Sequence, residues 1–174
     1  DLVFFYALAN ILIEENWVDQ SFIDSHTSEW SEFKSFVKDY TAEHAEEVSG
    51  IPPENLYQLA KTIHEGKRVS FWWTMGVNQS HEGVRVAQSI INIGLLTGNI
   101  GRPGTGVNSI TGQCNAMGSR LFSNTTNLLG GHGFGNTEHR EKVSKILDID
   151  EQRIPDSTGL SYDQIVEGVL SGKI

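Results

Sequence analysis

The sequence predicts an α/β fold in which parallel strands are joined by helices. Three observations lead there. The segment Val69–Met75 (VSFWWTM) is β-branched and aromatic, and reads as a buried strand. After a turn through Gly76, residues 80–97 read as a long helix, apolar at Val84, Ala87, Ile90, Ile91, Gly94 and Leu95, with Gly98 as its stop. Helical patterns flank this strand–helix pair on both sides, and such alternation folds into a parallel sheet with crossover helices.

The remaining elements follow in order. Residues 1–15 read as a mostly buried helix, uncharged from Leu2 to Ile13. Residues 28–39 read as an amphipathic helix, with Trp30, Phe33, Phe36 and Val37 at the helical spacing. Thr41–Ser49 is a short acidic helix closed by Gly50. Pro52–Pro53–Glu54 opens another, with Leu56, Leu59, Ala60 and Ile63 as its stripe and Gly66 at its end. From Asn99 to Asn136 little periodicity survives. Loops of that length are rare in compact domains unless they are functional or covered by a partner. Residues 138–147 read as a helix capped by Thr137. Ser161 and Gln164 form a capping box for a last helix, with Ile165, Val166, Val169 and Leu170 inward, and Lys173–Ile174 reads as a strand beginning. The chain starts inside a helix without a methionine and stops at this strand, so a piece of a larger protein is expected. The whole describes an incomplete three-layer Rossmann-like domain, a parallel sheet flanked by helices. Its parts are a helical stretch over 1–66, a strand–helix core over 67–98, a long Gly/Asn-rich loop region over 99–136, and a helical stretch over 137–174.

At 174 residues the chain is long enough to bury a core, and its 38% apolar and 20% charged content excludes disorder, collagen and coiled coil. The net charge of −9 argues against nonspecific binding to nucleic acid or an anionic membrane. The apolar run Leu2–Ile13 is too short to span a bilayer. The charge is unevenly spread. Residues 1–66 carry 13 acids and 3 bases, residues 67–137 carry 1 acid and 5 bases, and residues 138–174 carry 8 acids and 5 bases. The middle stretch also holds 13 of the 18 glycines and 8 of the 11 asparagines. Glycine lets a backbone approach a ligand, asparagine both donates and accepts, and sparse carboxylates leave room for an anion. A solvated surface loop has the same composition, so composition leaves both readings open.

Three constellations stand in this centre. Thr74–His81 (TMGVNQSH) sits where a strand ends and a helix begins, the position at which open α/β sheets bind ligands; an ordinary βα turn capped by Ser80 is the other reading. Thr97–Gly106 (TGNIGRPGTG) is glycine-dense but follows a helix and lacks both the dinucleotide and the P-loop order, which favours a structural role in threading the chain. Thr111–Gly118 (TGQCNAMG) can approach a heteroatom-rich ring, or can simply pack its Cys and Met. The six histidines have no metal-ligand spacing and read as surface residues. Cys114, the single cysteine, excludes an intrachain disulfide and an all-thiolate metal site. The N-x-S/T sequons at Asn78 and Asn124 read as chance. No elbow serine or carboxylate pair stands out, so the chain reads as a bed for a cofactor rather than as catalytic machinery.

The string from Thr74 to Arg120 resembles the molybdopterin oxidoreductase (dimethyl sulfoxide reductase-like) superfamily. M-G-x-x-Q at a strand end, L-x-x-L-T-G-x-I-G-x-P-G-x-G after a helix, and a G-Q loop about 35 residues beyond occur in that order. A weaker likeness covers the whole chain. The loop GQCNAMGSR and the following NLLGGH resemble the assimilatory nitrate reductases, whereas M-G-V-x-Q and L-T-G-N-I-G also resemble formate dehydrogenases. The nitrate likeness is the stronger, because formate dehydrogenases usually continue the G-Q loop differently.

The resemblance implies a bis(molybdopterin guanine dinucleotide) molybdenum cofactor, with Met75, Gly76 and Gln79 against it from the strand-end turn. Gly112, Gln113, Met117 and Gly118 would approach it from the G-Q loop. It implies no catalytic residue and no metal ligand here. The molybdenum ligand and a 4Fe-4S cluster would lie upstream of residue 1, and Cys114 sits in the wrong motif to be that ligand. The parent enzyme would reduce nitrate in the cytoplasm, with electrons from ferredoxin, flavodoxin or a nicotinamide-linked reductase. The piece by itself would be inactive and would need the remaining domains of the parent.

Overall fold

The computed structural model describes residues 1–122 and 128–174, so Asn124 of the second sequon lies outside the described residues. The chain forms two compact units, Asp1–Gly112 and Gln113–Ile174. The first begins with α1 (Leu2–Glu14), α2 (Gln20–His26), α3 (Trp30–Val37), α4 (Ala42–Ser49) and α5 (Pro53–Glu65). It continues with β1 (Ser70–Trp73), the single turn α6 (Met75–Asn78), α7 (Gly83–Leu96) and β2 (Gly106–Ser109). The sequence reading has no element between residues 16 and 27. The structure has α2 there, and Asp19 marks its start, with Oδ1 accepting from the Phe22 N–H at 3.0 Å.

Helix α1 is apolar all round because it is the centre of the first unit, packed against α3, α4, α5 and α7. Its Leu8 and Leu12 meet Ile23, Val37, Ala45, Leu56, Ile63 and Ile93 in one core. Tyr6 stands at the edge of that core, its ring edge-on to Tyr40 at 4.9 Å between centroids. Burial, and next to it Tyr40, raise the Tyr6 phenol above its usual range, so it is neutral at physiological pH.

β1 and β2 pair in parallel, Ser70 opposite Gly106 through Trp73 opposite Ser109, and α7 is the crossover between them. This parallel pair with its helical crossover is consistent with the α/β class. Gly94 allows the crossover to lie close, since a Cβ there would stand 2.6 Å from Val107 Cγ2. Beyond α7 the chain turns at Gly98 (φ +60°) into Asn99, which is buried and makes three side-chain hydrogen bonds. Asn99 Oδ1 accepts from the Val69 N–H at 3.1 Å and from Arg102 Nη2 at 3.2 Å, while Nδ2 donates to Thr97 Oγ1 at 2.9 Å. The glycine-dense motif at 97–106 therefore does structural work, holding the start of β1 to the end of α7.

Several expectations are corrected. The strand is half-buried, with Trp72 68% exposed, because its sheet has two strands and α7 packs against one face. On the other face Trp72 Nε1 and Asn108 Nδ2 both donate to Ser70 Oγ. The helix expected from 80 starts at Gly83, and Ser80 Oγ accepts from the Glu82 N–H in the connecting turn instead of capping the helix. Val84, counted on the buried stripe of that helix, is 74% exposed.

In the second unit, α8 (Ala116–Leu121), α9 (Thr137–Leu147) and α10 (Tyr162–Leu170) alternate with 3-10 turns at Leu129–Gly131 and Glu151–Arg153. Residues 99–136 thus contain β2, α8 and a 3-10 turn, elements too short to leave a period in the sequence. Asn136, rather than Thr137, caps α9, its Oδ1 accepting from the His139 N–H. The capping box of Ser161 and Gln164 opens α10 as expected. Its Ile165, Val166, Val169 and Leu170 are nevertheless exposed, because among the described residues no layer packs on that face. Lys173 and Ile174 are not a strand; their N–H groups return to the Gly168 carbonyl. No helix among the described residues is long and apolar enough to cross a membrane.

Replacing Asn99 with Ala is expected to cost about 1–3 kcal/mol in urea denaturation, because it leaves the half-buried Val69 N–H without its acceptor and empties a buried position. Since the folded Tyr6 pKa is raised, its contribution is intact below pH ~10 and is lost as pH climbs through the folded value. Tyr6→Phe should lose less stability than the parent between pH 9 and pH 11.

Candidate functional site

β1 ends at Trp73, and the chain at once turns through α6, which leaves residues 74–79 across the carboxyl end of the sheet. The turn closes on itself: the Val77 and Asn78 N–H groups return to the Thr74 carbonyl, and the Gln79 N–H returns to the Met75 carbonyl. β2 continues alongside, with the Ile110 N–H donating to the Trp73 carbonyl at 2.8 Å, and leads directly to Gly112. Carboxyl ends of parallel strands are where α/β sheets take ligands.

The predicted residues divide between the two units. Met75, Gly76, Gln79 and Gly112 belong to the first; Gln113, Met117 and Gly118 belong to the second. Met75 is half-buried, Gly76 and Gln79 are exposed, and the Gln79 amide makes no hydrogen bond among the described residues. Gly112 and Gln113 are exposed, and Met117 is 80% exposed. A cavity of about 490 Å³ beside β1, lined by Phe5, Leu8, Leu59, Ile63, Phe71 and Ile90, is not bordered by any of these residues.

The glycines distinguish inward from outward reasons. Gly118 has an inward one: its N–H is capped by Asn115 Oδ1 at 3.2 Å, and a Cβ would strike that amide. Gly76 and Gly112 have none. Neither has a positive φ, and a Cβ on either would meet nothing within 4 Å. Both face open space at the strand ends, as a backbone approached closely by a ligand would.

Electrostatics suits an anion. Glu82 is the sole carboxylate in residues 67–137, and Arg85 Nη1 lies 3.6 Å from its Oε1. Among the described residues no group of three or more His, Cys, Asp or Glu side chains is placed to hold a metal, and Cys114 is exposed. The two stretches present amides, the Met75 and Met117 thioethers and open backbone.

Asn78, which the sequence reading notes only within the TMGVNQSH turn and as a chance sequon, is central to this turn. Asn78 Oδ1 accepts from Trp73 Nε1 at 2.9 Å, and Asn78 Nδ2 donates to Ser109 Oγ at 2.9 Å. Its double donor–acceptor character suits this link.

The sequence pattern of the molybdopterin oxidoreductase family matches residues 1–162. The chain belongs to the molybdopterin oxidoreductase family. It is 36% identical over its whole length to a nitrate reductase of Synechocystis sp., covering 24% of that protein. It is 31% identical, again over its whole length, to a nitrate reductase of Symbiobacterium thermophilum, covering 24% of it. To formate dehydrogenase H of Escherichia coli it is 29% identical over 97% of the chain, covering 23% of that protein. The chain thus spans about a quarter of the length of these relatives. Membership of the molybdopterin oxidoreductase family implies a molybdopterin cofactor, and the open glycines, the Gln79 amide, unpaired among the described residues, and the scarcity of carboxylates in residues 67–137 fit such a group.

Gly76→Ala and Gly112→Ala should leave folding stability within about 0.5 kcal/mol of the parent. Gly94→Ala, whose Cβ would press on Val107, should lower it by about 1–3 kcal/mol. Denaturant midpoints of the three variants check both statements.

Proposed function

We propose that residues 74–79 and 111–118 form part of the seat of a bis(molybdopterin guanine dinucleotide) molybdenum cofactor, in an enzyme that reduces nitrate to nitrite. The observation that carries the reading is the pair of glycines, Gly76 and Gly112, open at the carboxyl ends of β1 and β2 in a chain of this family. When bound, the cofactor supplies the metal at which oxygen is transferred and two electrons pass. The chain's residues bind and orient it. Gly76 and Gly112 let backbone come against a pterin, the Gln79 and Gln113 amides offer a donor and an acceptor to its ring edges, and the Met75 and Met117 thioethers supply soft apolar contact. Met117 and Gly118 lie in the first turn of α8.

In this reading the two-stranded sheet is part of a larger three-layer Rossmann-like sheet, and the rest of the polypeptide supplies the molybdenum ligand and a 4Fe-4S cluster. Electrons come from ferredoxin, flavodoxin or a nicotinamide-linked reductase in the cytoplasm, and nitrate takes two electrons and two protons to give nitrite and water. Nitrate is favoured by the two nitrate reductases that match the whole chain at 36% and 31% identity. Formate oxidation is the second reading, supported by the 29% identity to a formate dehydrogenase over nearly all of the chain.

The full-length polypeptide carrying these residues, expressed anaerobically with its cofactor, should oxidise reduced viologen when nitrate is added. With molybdenum confirmed by elemental analysis, no turnover on nitrate together with viologen reduction by formate would overturn the nitrate reading.

A further inference from the structure

The cofactor seat proposed above has two banks in the first unit, the turn bearing Met75, Gly76 and Gln79 and the strand leading into Gly112. We infer that Asn78 is the positioning residue that holds these banks together; the inference rests on the cofactor-seat reading. The turn's backbone is closed by its own hydrogen bonds to Thr74 and Met75, and β2 is held to β1 by the sheet. Neither set joins the turn to β2. The Asn78 amide does so. Its oxygen takes the Trp73 indole N–H at 2.9 Å, which anchors it to the end of β1. Its nitrogen donates to Ser109 Oγ at 2.9 Å, and that hydroxyl also lies 3.3 Å from Asn78 Oδ1, so it can exchange the sense of the bond without breaking the link.

Both ends of this amide are therefore engaged within the chain, and Asn78 acts through its neighbours, not on a ligand. Gln79, one residue on, has an amide that makes no hydrogen bond among the described residues. The two adjacent amides divide the work: Asn78 sets the turn against β2, and Gln79 faces outward. Because Asn78 and Ser109 are exposed, their bonds add little to folding. Their loss loosens the spacing between the banks rather than the core.

The test uses the full-length polypeptide loaded with cofactor. It compares the rate of molybdenum loss on dilution, measured by elemental analysis, with the melting temperature of the cofactor-free form. Asn78→Ala and Ser109→Ala are each expected to lose molybdenum about 10-fold faster, the scale for removing a group that orients a ligand-holding residue. Ser109→Thr, which keeps the hydroxyl, should match the parent. The double alanine variant should be no faster than Asn78→Ala alone, since both act through one link. The cofactor-free melting temperatures should stay within about 2 °C of the parent. Unchanged retention in the alanine variants would overturn the inference. So would faster loss that simply tracks a falling melting temperature, or effects that add. An unmutated polypeptide that carries neither molybdenum nor pterin fluorescence would instead overturn the cofactor-seat reading on which the inference depends.

Discussion

The amide of Asn99 is buried with three partners, and the arrangement of the strand–helix–strand unit depends on it. A buried amide without partners would cost several times what one hydrogen bond returns. Val69, Thr97 and Arg102 must therefore converge on it. That convergence sets where β1 starts relative to the end of α7. It also fixes the loop that carries the chain back to β2. With Gly94 letting α7 lie against Val107, the crossover has little freedom left.

A second asparagine acts at the opposite end of the same strand. Asn99 meets the amino end of β1, at Val69, and Asn78 meets its carboxyl end, through the Trp73 indole. The first is buried and belongs to stability. The second is exposed and belongs to the arrangement of the surface that a ligand would meet. Asparagine suits both positions because one side chain donates and accepts at once, and so can join two segments that have no backbone bonds between them. The abundance of asparagine in the middle of the sequence is thus partly architectural.

The glycines divide in a similar way. Gly94, Gly98 and Gly118 are explained inside the chain by close neighbours, and Gly98 by a positive φ as well. Gly76 and Gly112 are not, and their place at the strand ends is what the proposed seat rests on. The helical stretch over residues 1–66 supplies the core against which α7, and through it the sheet, is held.

Periodicity and motif order by themselves determined the helices α1, α3, α4, α5 and α7, the strand β1, the capping box of α10 and the family, because each leaves a local signature in residue type and spacing. They also placed Met75, Gly76 and Gln79 at a strand end. Only the tertiary structure decided which apolar faces are covered, as the exposure of Trp72, Val84 and the α10 stripe illustrates, since burial depends on an opposing surface that a local pattern does not encode. It decided that Asn136 rather than Thr137 caps α9, a choice of hydrogen bond between adjacent competent side chains. It alone revealed β2, α2 and the Trp73–Asn78–Ser109 link, because Gly106–Ser109 lacks the aromatic, β-branched run that marks β1 and partners 31 residues apart meet only once the sheet has formed.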